Sequence, residues 1–273
     1  MLSVHLIFII FLSIFVLISS APQESASFIE MGATVVDNII AKNSTNVSIF
    51  LYNTGDEIAY DVELYLVPSE NFYSEKKITQ ELLYPGGEAL DTLSINVYKN
   101  ISLGIYPLVI ILKYKDANGY QFSSLVASLI KYKKGYDSKV EGSIYASDIK
   151  EDGSGTYSLY VTNFDDKTHD VKINLYLPEK FNGSFSQKIV PIDLVSDHTI
   201  NFNIKNKGIL PNSNYLIYVA LEYDYNGFHY SSIAKGTVVV DEKKEKQPIW
   251  AYLTIIFVVL LVIYVYYKKR ENK

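Results

Sequence analysis

Asp116-Ala117-Asn118-Gly119-Tyr120-Gln121-Phe122-Ser123-Ser124-Leu125 and Asp224-Tyr225-Asn226-Gly227-Phe228-His229-Tyr230-Ser231-Ser232-Ile233 are one pattern written twice. Each carries Asn-Gly, then an aromatic, a polar residue, an aromatic, two serines and an aliphatic residue. Asn and Gly tolerate the positive φ that a tight hairpin demands, so both stretches predict a turn joining two antiparallel strands. The incoming strands alternate in the way a half-buried strand requires: Tyr106, Leu108, Ile110, Leu112 and Tyr114 in one, Tyr215, Ile217, Val219, Leu221 and Tyr223 in the other. The turns lie 108 residues apart and the strands 109, so the one-residue difference falls between strand and turn.

Working outward, Asn53 to Pro68 (NTGDEIAYDVELYLVP) parallels Asn163 to Pro178 (NFDDKTHDVKINLYLP), which extends the duplication to a unit of about 110 residues, the size of a sandwich domain. In the first copy, seven strands are predicted near Ala33–Ala41, Asn46–Asn53, Tyr60–Val67, Ile78–Tyr84, Ala89–Tyr98, Tyr106–Lys115 and Tyr120–Tyr132. Short, regularly spaced strands with no helical periodicity between them favour a sandwich over a parallel α/β sheet. The expected fold is therefore all-β, with two tandem antiparallel Ig-like β-sandwich domains at 28–132 and 136–240 and a hinge at Lys131 to Gly135.

The two ends read differently. Leu6 to Ile18 is a short apolar run closed by Ser19, Ser20 and Ala21, the pattern of a secretory signal over 1–21, with an uncleaved anchor as the alternative because no Lys or Arg precedes it and Pro22 follows. Ile249 to Tyr267 is 19 residues without a charge, enough for a spanning helix of about 28 Å. Trp250 and Tyr252 mark one interface and Tyr264, Tyr266 and Tyr267 the other. Lys268, Lys269 and Arg270 then hold 268–273 on the cytoplasmic side, which places everything before the helix outside. Residues 241–248 (DEKKEKQP) bury nothing and predict a charged stalk.

On "NTGDEIAYDVELYL", "PGGEALDTLSINV" and "GIYPLVIILKYKDANGY" the first unit resembles the repeated sandwich domain of archaeal S-layer-like surface proteins and the cell-adhesion-related (CARDB-type) domain of bacteria. The shared features are the Asn-Thr-Gly turn, the Pro85-Gly86 turn, and a Gly-x-Tyr-x-Leu strand ending in Tyr-x-Asp-x-x-Gly. The second unit keeps Tyr223, Asp224 and Gly227 but has Phe164 and Asp165 in place of Thr-Gly and lacks the Pro-Gly pair. The resemblance covers most of 33–240 and implies an extracellular spacer, adhesion or binding module, often tethered to a membrane, with no catalytic residue to carry over. A looser likeness, at the level of fold, is to the lumenal domain of the translocon-associated protein beta subunit.

Little in the residues points to chemistry. With Cys at 0, neither disulfides nor thiolate metal ligands are available, and a net charge of −5 without a basic stripe argues against nucleic acid. His169, His198 and His229 do not share a ligand spacing. His229 aligns with Gln121 and is expected on the surface. The acidic loops Asp148 to Asp152 and Asp165-Asp166 lack a calcium-loop spacing and read as solvated turns. No nucleophile elbow or phosphate-binding glycine loop occurs, so neither an enzyme nor a cofactor is expected. Four sequons, at Asn43, Asn46, Asn100 and Asn182, are candidate glycan acceptors on an ectodomain. Tyrosines 106, 114, 215 and 223 share a face with Leu, Ile and Val and are assigned to the core. The expected role is structural, adhesive or protein- or glycan-binding at the cell surface, with the membrane and a surface protein or glycan as partners. The alternative is an accessory subunit of a transport, secretion or glycosylation complex.

Overall fold

The computed structural model describes residues 29–37, 39–145, 149–150, 153–208 and 213–241, with positions 264, 267, 268 and 270. The expected signal, the stalk after Asp241 and residues 249–263 of the expected spanning helix lie outside the described residues, as do Asp148, Glu151 and Asp152. Among the described residues no helix is long and apolar enough to cross a membrane.

The chain is all-β. Nine strands form the first half: β1 Met31–Val35, β2 Ile39–Ile40, β3 Ser44–Asn53, β4 Ala59–Leu66, β5 Phe72–Tyr73, β6 Ile78–Leu83, β7 Glu88–Val97, β8 Leu103–Lys115 and β9 Gln121–Tyr132. Nine follow in the second: β10 Val140–Tyr145, β11 Ile149–Lys150, β12 Ser154–Asn163, β13 His169–Tyr176, β14 Phe181–Gly183, β15 Gln187–Ile192, β16 Ser196–Asn206, β17 Ser213–Tyr225 and β18 Phe228–Asp241. The strand expected at Ala33–Ala41 is divided into β1 and β2, and the strand absent from the expectation, β5, has two residues, too few for alternation to show.

Pairing repeats with the sequence. One four-stranded sheet has the order β1-β3-β7-β5 and another β10-β12-β16-β14. The remaining ten strands form one long sheet: β6-β4-β8-β9-β2 from the first half continues into β15-β13-β17-β18-β11 from the second. The continuation is a two-residue parallel pairing, Phe228 with Leu103 and His229 with Gly104. Alternation builds a sandwich-like core in each half. In β3, Val47, Ile49 and Leu51 point inward to meet Leu64 of β4 and Ile110 of β8, while Tyr157, Leu159 and Val161 of β12 do the same against Ile173 and Val219.

The Asn-Gly pairs close two different turns. In the second half Asn226 (φ 49°) and Gly227 (φ 79°) are the two central residues of a tight hairpin between Tyr225 and Phe228. The extra residue in the first half widens the turn, and only Gly119 (φ 80°) takes positive φ. The Asp116 carboxylate then accepts from the amides of Asn118 (2.9 Å) and Tyr120 (2.8 Å), closing the larger loop.

Two expectations fail at the contact between the halves. Simple alternation in β8 and β17 gives way to seven successive buried residues, Gly104 to Ile110 and Ile217 to Tyr223. A third apolar cluster explains it: Val109 and Leu125 of the first half meet Tyr218 of the second, flanked by Val67, Ile111, Tyr176 and Ile233. The outer faces of the two five-stranded portions are thus covered by each other, and burying Val109 or Leu125 there contributes on the order of 1.5–3 kcal/mol each. Pro107, which has no amide hydrogen to donate, falls before the Ile110 to Lys115 stretch of β8 where β4 pairs closely.

Nor is Lys131 to Gly135 a free hinge. Lys131 and Tyr132 belong to β9, and the Lys133 amide donates to Ile40 O at 2.9 Å. A Cβ on Gly135 would sit 2.7 Å from the Gly104 carbonyl carbon, so this connection is packed against β8.

Candidate functional site

Three groups of polar contacts stand out among the described residues: under the first turn of each half, at the contact between halves, and on the outer faces of the four-stranded sheets.

Asn53 and Asn163, at the ends of β3 and β12, are each 1% exposed and perform the same task. Asn53 Nδ2 donates to Glu57 O (2.8 Å) and Leu83 O (3.0 Å), and its Oδ1 accepts from Gly55 N (3.0 Å). Asn163 Nδ2 donates to Lys167 O (2.8 Å) and Asp193 O (3.0 Å), and its Oδ1 accepts from Asp165 N (2.9 Å). Such buried amides tie a loop to the neighbouring strand and are structural. Below the second one lies a group with no counterpart in the first half. His169 Nε2 is 2.9 Å from Asp165 Oδ2, and Lys139 Nζ lies 3.3 Å from Asp165 Oδ1. The hydrogen bond to His169, then those from Lys139 and the Asp166 amide, hold the Asp165 carboxyl down to about 2 against the opposing effect of burial. Gly55 and Ala59 occupy the matching positions of the first half.

At the contact between halves the expected surface residue His229 is buried, 9% exposed. It does point outward from its own sheet, but that face is covered by the first half. Its ring stacks on Tyr106 of β8 (centroids 4.1 Å, planes 5° apart) and its nitrogens reach Glu222 Oε2 (3.1 Å) and Asp224 Oδ1 (2.8 Å). Glu222 is only 3% exposed and also accepts from Asn174 Nδ2 (2.5 Å). Burial of the His229 ring opposes its charge, but hydrogen bonds to the Glu222 and Asp224 carboxylates outweigh this and raise its pKa above the ordinary imidazole value. Around this centre Ser231 Oγ donates to Ile105 O (2.7 Å), Glu179 N donates to Ser123 Oγ (2.9 Å), Lys172 pairs with Glu70 (2.6 Å), and Lys113 pairs with Glu179. The serines of the repeated Ser-Ser motif, Ser123 and Ser231, therefore both serve the contact. Beside it opens a cleft of about 430 Å³ between Pro68 to Asn71 of one half and Lys172, Tyr176 and Glu222 of the other.

The outer faces differ in chemistry. On the first four-stranded sheet Phe50 pairs with Leu90, 68% exposed, beside Tyr52, whose ring covers Gly32. On the second, hydroxyls of β12 donate across the strand to amides and an acid of β16: Thr156 to Asn203 (2.9 Å), Ser158 to Asn201 (2.8 Å) and Thr162 to Asp197 (2.6 Å). Tyr160 stands among them, edge-on to Tyr145 at 5.0 Å, the two 43% and 65% exposed.

All four sequon asparagines are exposed. Asn100 lies between β7 and β8 with φ 73°, Asn182 is in the short edge strand β14, Asn46 is within β3 opposite Ser94, and Asn43 Oδ1 accepts from Tyr132 OH at 2.8 Å. Tyr106, Tyr114 and Tyr223 are buried as expected and Tyr215 is half-buried. Among the described residues no group of His, Asp and Glu is arranged to hold a metal ion. Sequence reasoning missed Glu222, Asp224 and Tyr106 as partners of His229, and Asn174 as a partner of Glu222. The available signal was an acid placed directly after the apolar run Leu216 to Leu221.

No family model matches the chain, and no curated protein does. Among solved structures it is similar to a protein of unknown function from Porphyromonas gingivalis W83 (8% identity, 75% of this chain, 98% of that one, TM-score 0.29). It is also similar to the YadV chaperone (15% identity, 76% and 99%, TM-score 0.30) and to native Escherichia coli alpha-2-macroglobulin (10% identity, 78% and 17%, TM-score 0.34). Scores this low carry no argument about function.

Proposed function

We propose that this chain is a membrane-anchored surface protein whose two tandem Ig-like sandwiches form one stiff extracellular body with a structural, adhesive or protein- or glycan-binding role. The observation that supports it is how the polar groups are spent. Buried ones such as Asn53 and Ser231 tie a loop to a strand or one half to the other, while exposed ones line the outer face of the second four-stranded sheet and include the four sequon positions. A flat face of Tyr, Ser, Thr and Asn offers large amphipathic rings and adaptable hydrogen bonds at low entropic cost, the composition of protein surfaces that bind other macromolecules. The apolar run at Ile249 to Tyr267 and the basic residues after it supply the tether and its direction.

A pull-down in mild detergent tests the role. Recovery of a surface protein or a glycan-bearing partner supports the proposal; stoichiometric recovery of polytopic membrane proteins would assign the chain to a membrane complex instead. Protease added to intact cells tests the topology: both halves should be removed, and full protection would refute it.

A further inference from the structure

We propose that His229 is a protonation-dependent latch holding the two halves together. The inference concerns the contact itself and stands apart from the surface role. Three features converge on this one ring. It belongs to the second half but stacks on Tyr106 of the first. Its backbone continues the second half's sheet into Gly104 of β8, at an approach so close that a Cβ on Gly104 would lie 2.2 Å from His229 O. Its Nε2 also faces the buried Glu222 carboxylate directly, at 3.1 Å.

The charged and titratable groups around the ring come from every element packed on it. Glu222 and Asp224 of β17 take its two nitrogens, and Tyr106 of β8 lies flat beneath it. From β13, Lys172 is paired opposite Glu222 in the sheet but its ammonium is engaged by Glu70 at 2.6 Å. Tyr176 of β13 lies close enough to feel the Glu222 charge, and burial pushes its phenol well above the usual range. On the connection between halves, Lys134 sits over the ring of Phe228 at 5.8 Å. When His229 is protonated, the charge on Glu222 is matched by a partner bonded to it. When the ring is neutral, Glu222 keeps its Asn174 hydrogen bond but loses its adjacent counter-charge inside the contact, where an uncompensated charge is costly. The sign follows from linkage: the imidazolium is favoured in the closed form, so the closing contribution is complete below the ordinary histidine range and is lost as pH rises through the raised value. The first half has Gln121 at the matching position and has no such switch.

The test is hydrogen exchange of the full chain in detergent micelles between about pH 6 and about pH 9, corrected for intrinsic rates and followed in peptides spanning 103–107 and 228–231. Protection in the wild type should fall by up to about tenfold per pH unit on the alkaline side. His229→Gln, which copies the first half, should give a profile independent of pH. Glu222→Gln removes the buried negative charge and should flatten the slope while keeping the ring, which secures the test if the first variant fails to fold. A flat wild-type profile, or an unchanged slope in either variant, would overturn the latch.

Discussion

The two halves use the same nine-strand pairing and the same buried asparagine, yet the second adds ionisable groups where the first has small or neutral ones. His169 replaces Ala59, Asp165 replaces Gly55, and His229 replaces Gln121. Elements that close the sandwich are common to both copies, whereas those that differ lie on a loop, at the contact between halves, or on an outer face. A duplicated unit must keep its core but is free to give each copy a separate surface.

The shared asparagines offer the largest effect. Asn53→Ala and Asn163→Ala each orphan several buried backbone groups and should lower stability by about 2–4 kcal/mol, to a similar extent in both halves. Thermal unfolding of the full chain would show it; a large cost in one half only would break the equivalence.

Next comes a position that the copies treat differently. Gly104 is pressed on the His229 backbone, whereas Asn214, at the same end of the equivalent strand β17, is exposed. Gly104→Ala should cost about 1–3 kcal/mol because backbone cannot easily give way, and Asn214→Ala should stay within about 0.5 kcal/mol. Equal melting shifts would mean that the close approach does not exist.

A smaller, pH-restricted effect belongs to Asp165. Its carboxyl is held down to about 2, so its contribution is complete above the ordinary carboxylate value and is lost as pH falls toward that figure. Melting scans below about pH 4 should show a steeper loss in the wild type than in Asp165→Asn. Smallest of all, Tyr160→Ser on the exposed face should leave the melting midpoint within the change expected for about 0.5 kcal/mol. A loss of partner recovery without a melting shift would sharpen the contrast between the two outer faces.

Much of the architecture was legible in the residues because duplication and alternation are both local signals. The Asn-Gly turns, the inward Val47, Ile49 and Leu51, and the core tyrosines could all be read directly. The contact between halves was not, because a sheet face covered by another sheet carries the same alternation as one facing water until its outward residues are weighed. Those residues were on display: Val109 and Ile111 interleave with Leu108 and Ile110, making β8 apolar on both faces. His229 was misplaced for the same reason, since pointing away from one's own core means exposure only if nothing else covers that face. The sequons could be placed on exposed positions, while the matching of hydroxyls on β12 with amides on β16 depends on a register that no single strand reveals.

The claim that most else depends on is that the two halves are packed sheet against sheet, and zero-length carbodiimide cross-linking of the full chain followed by peptide mapping tests it directly. Lys172 should be joined to Glu70 and Lys113 to Glu179, pairs far apart in sequence that meet only across the contact. The pairs Lys77–Glu63 and Lys115–Asp61, each within the first half, serve as internal controls. Recovery of the control links without either cross-half link would contradict the packing.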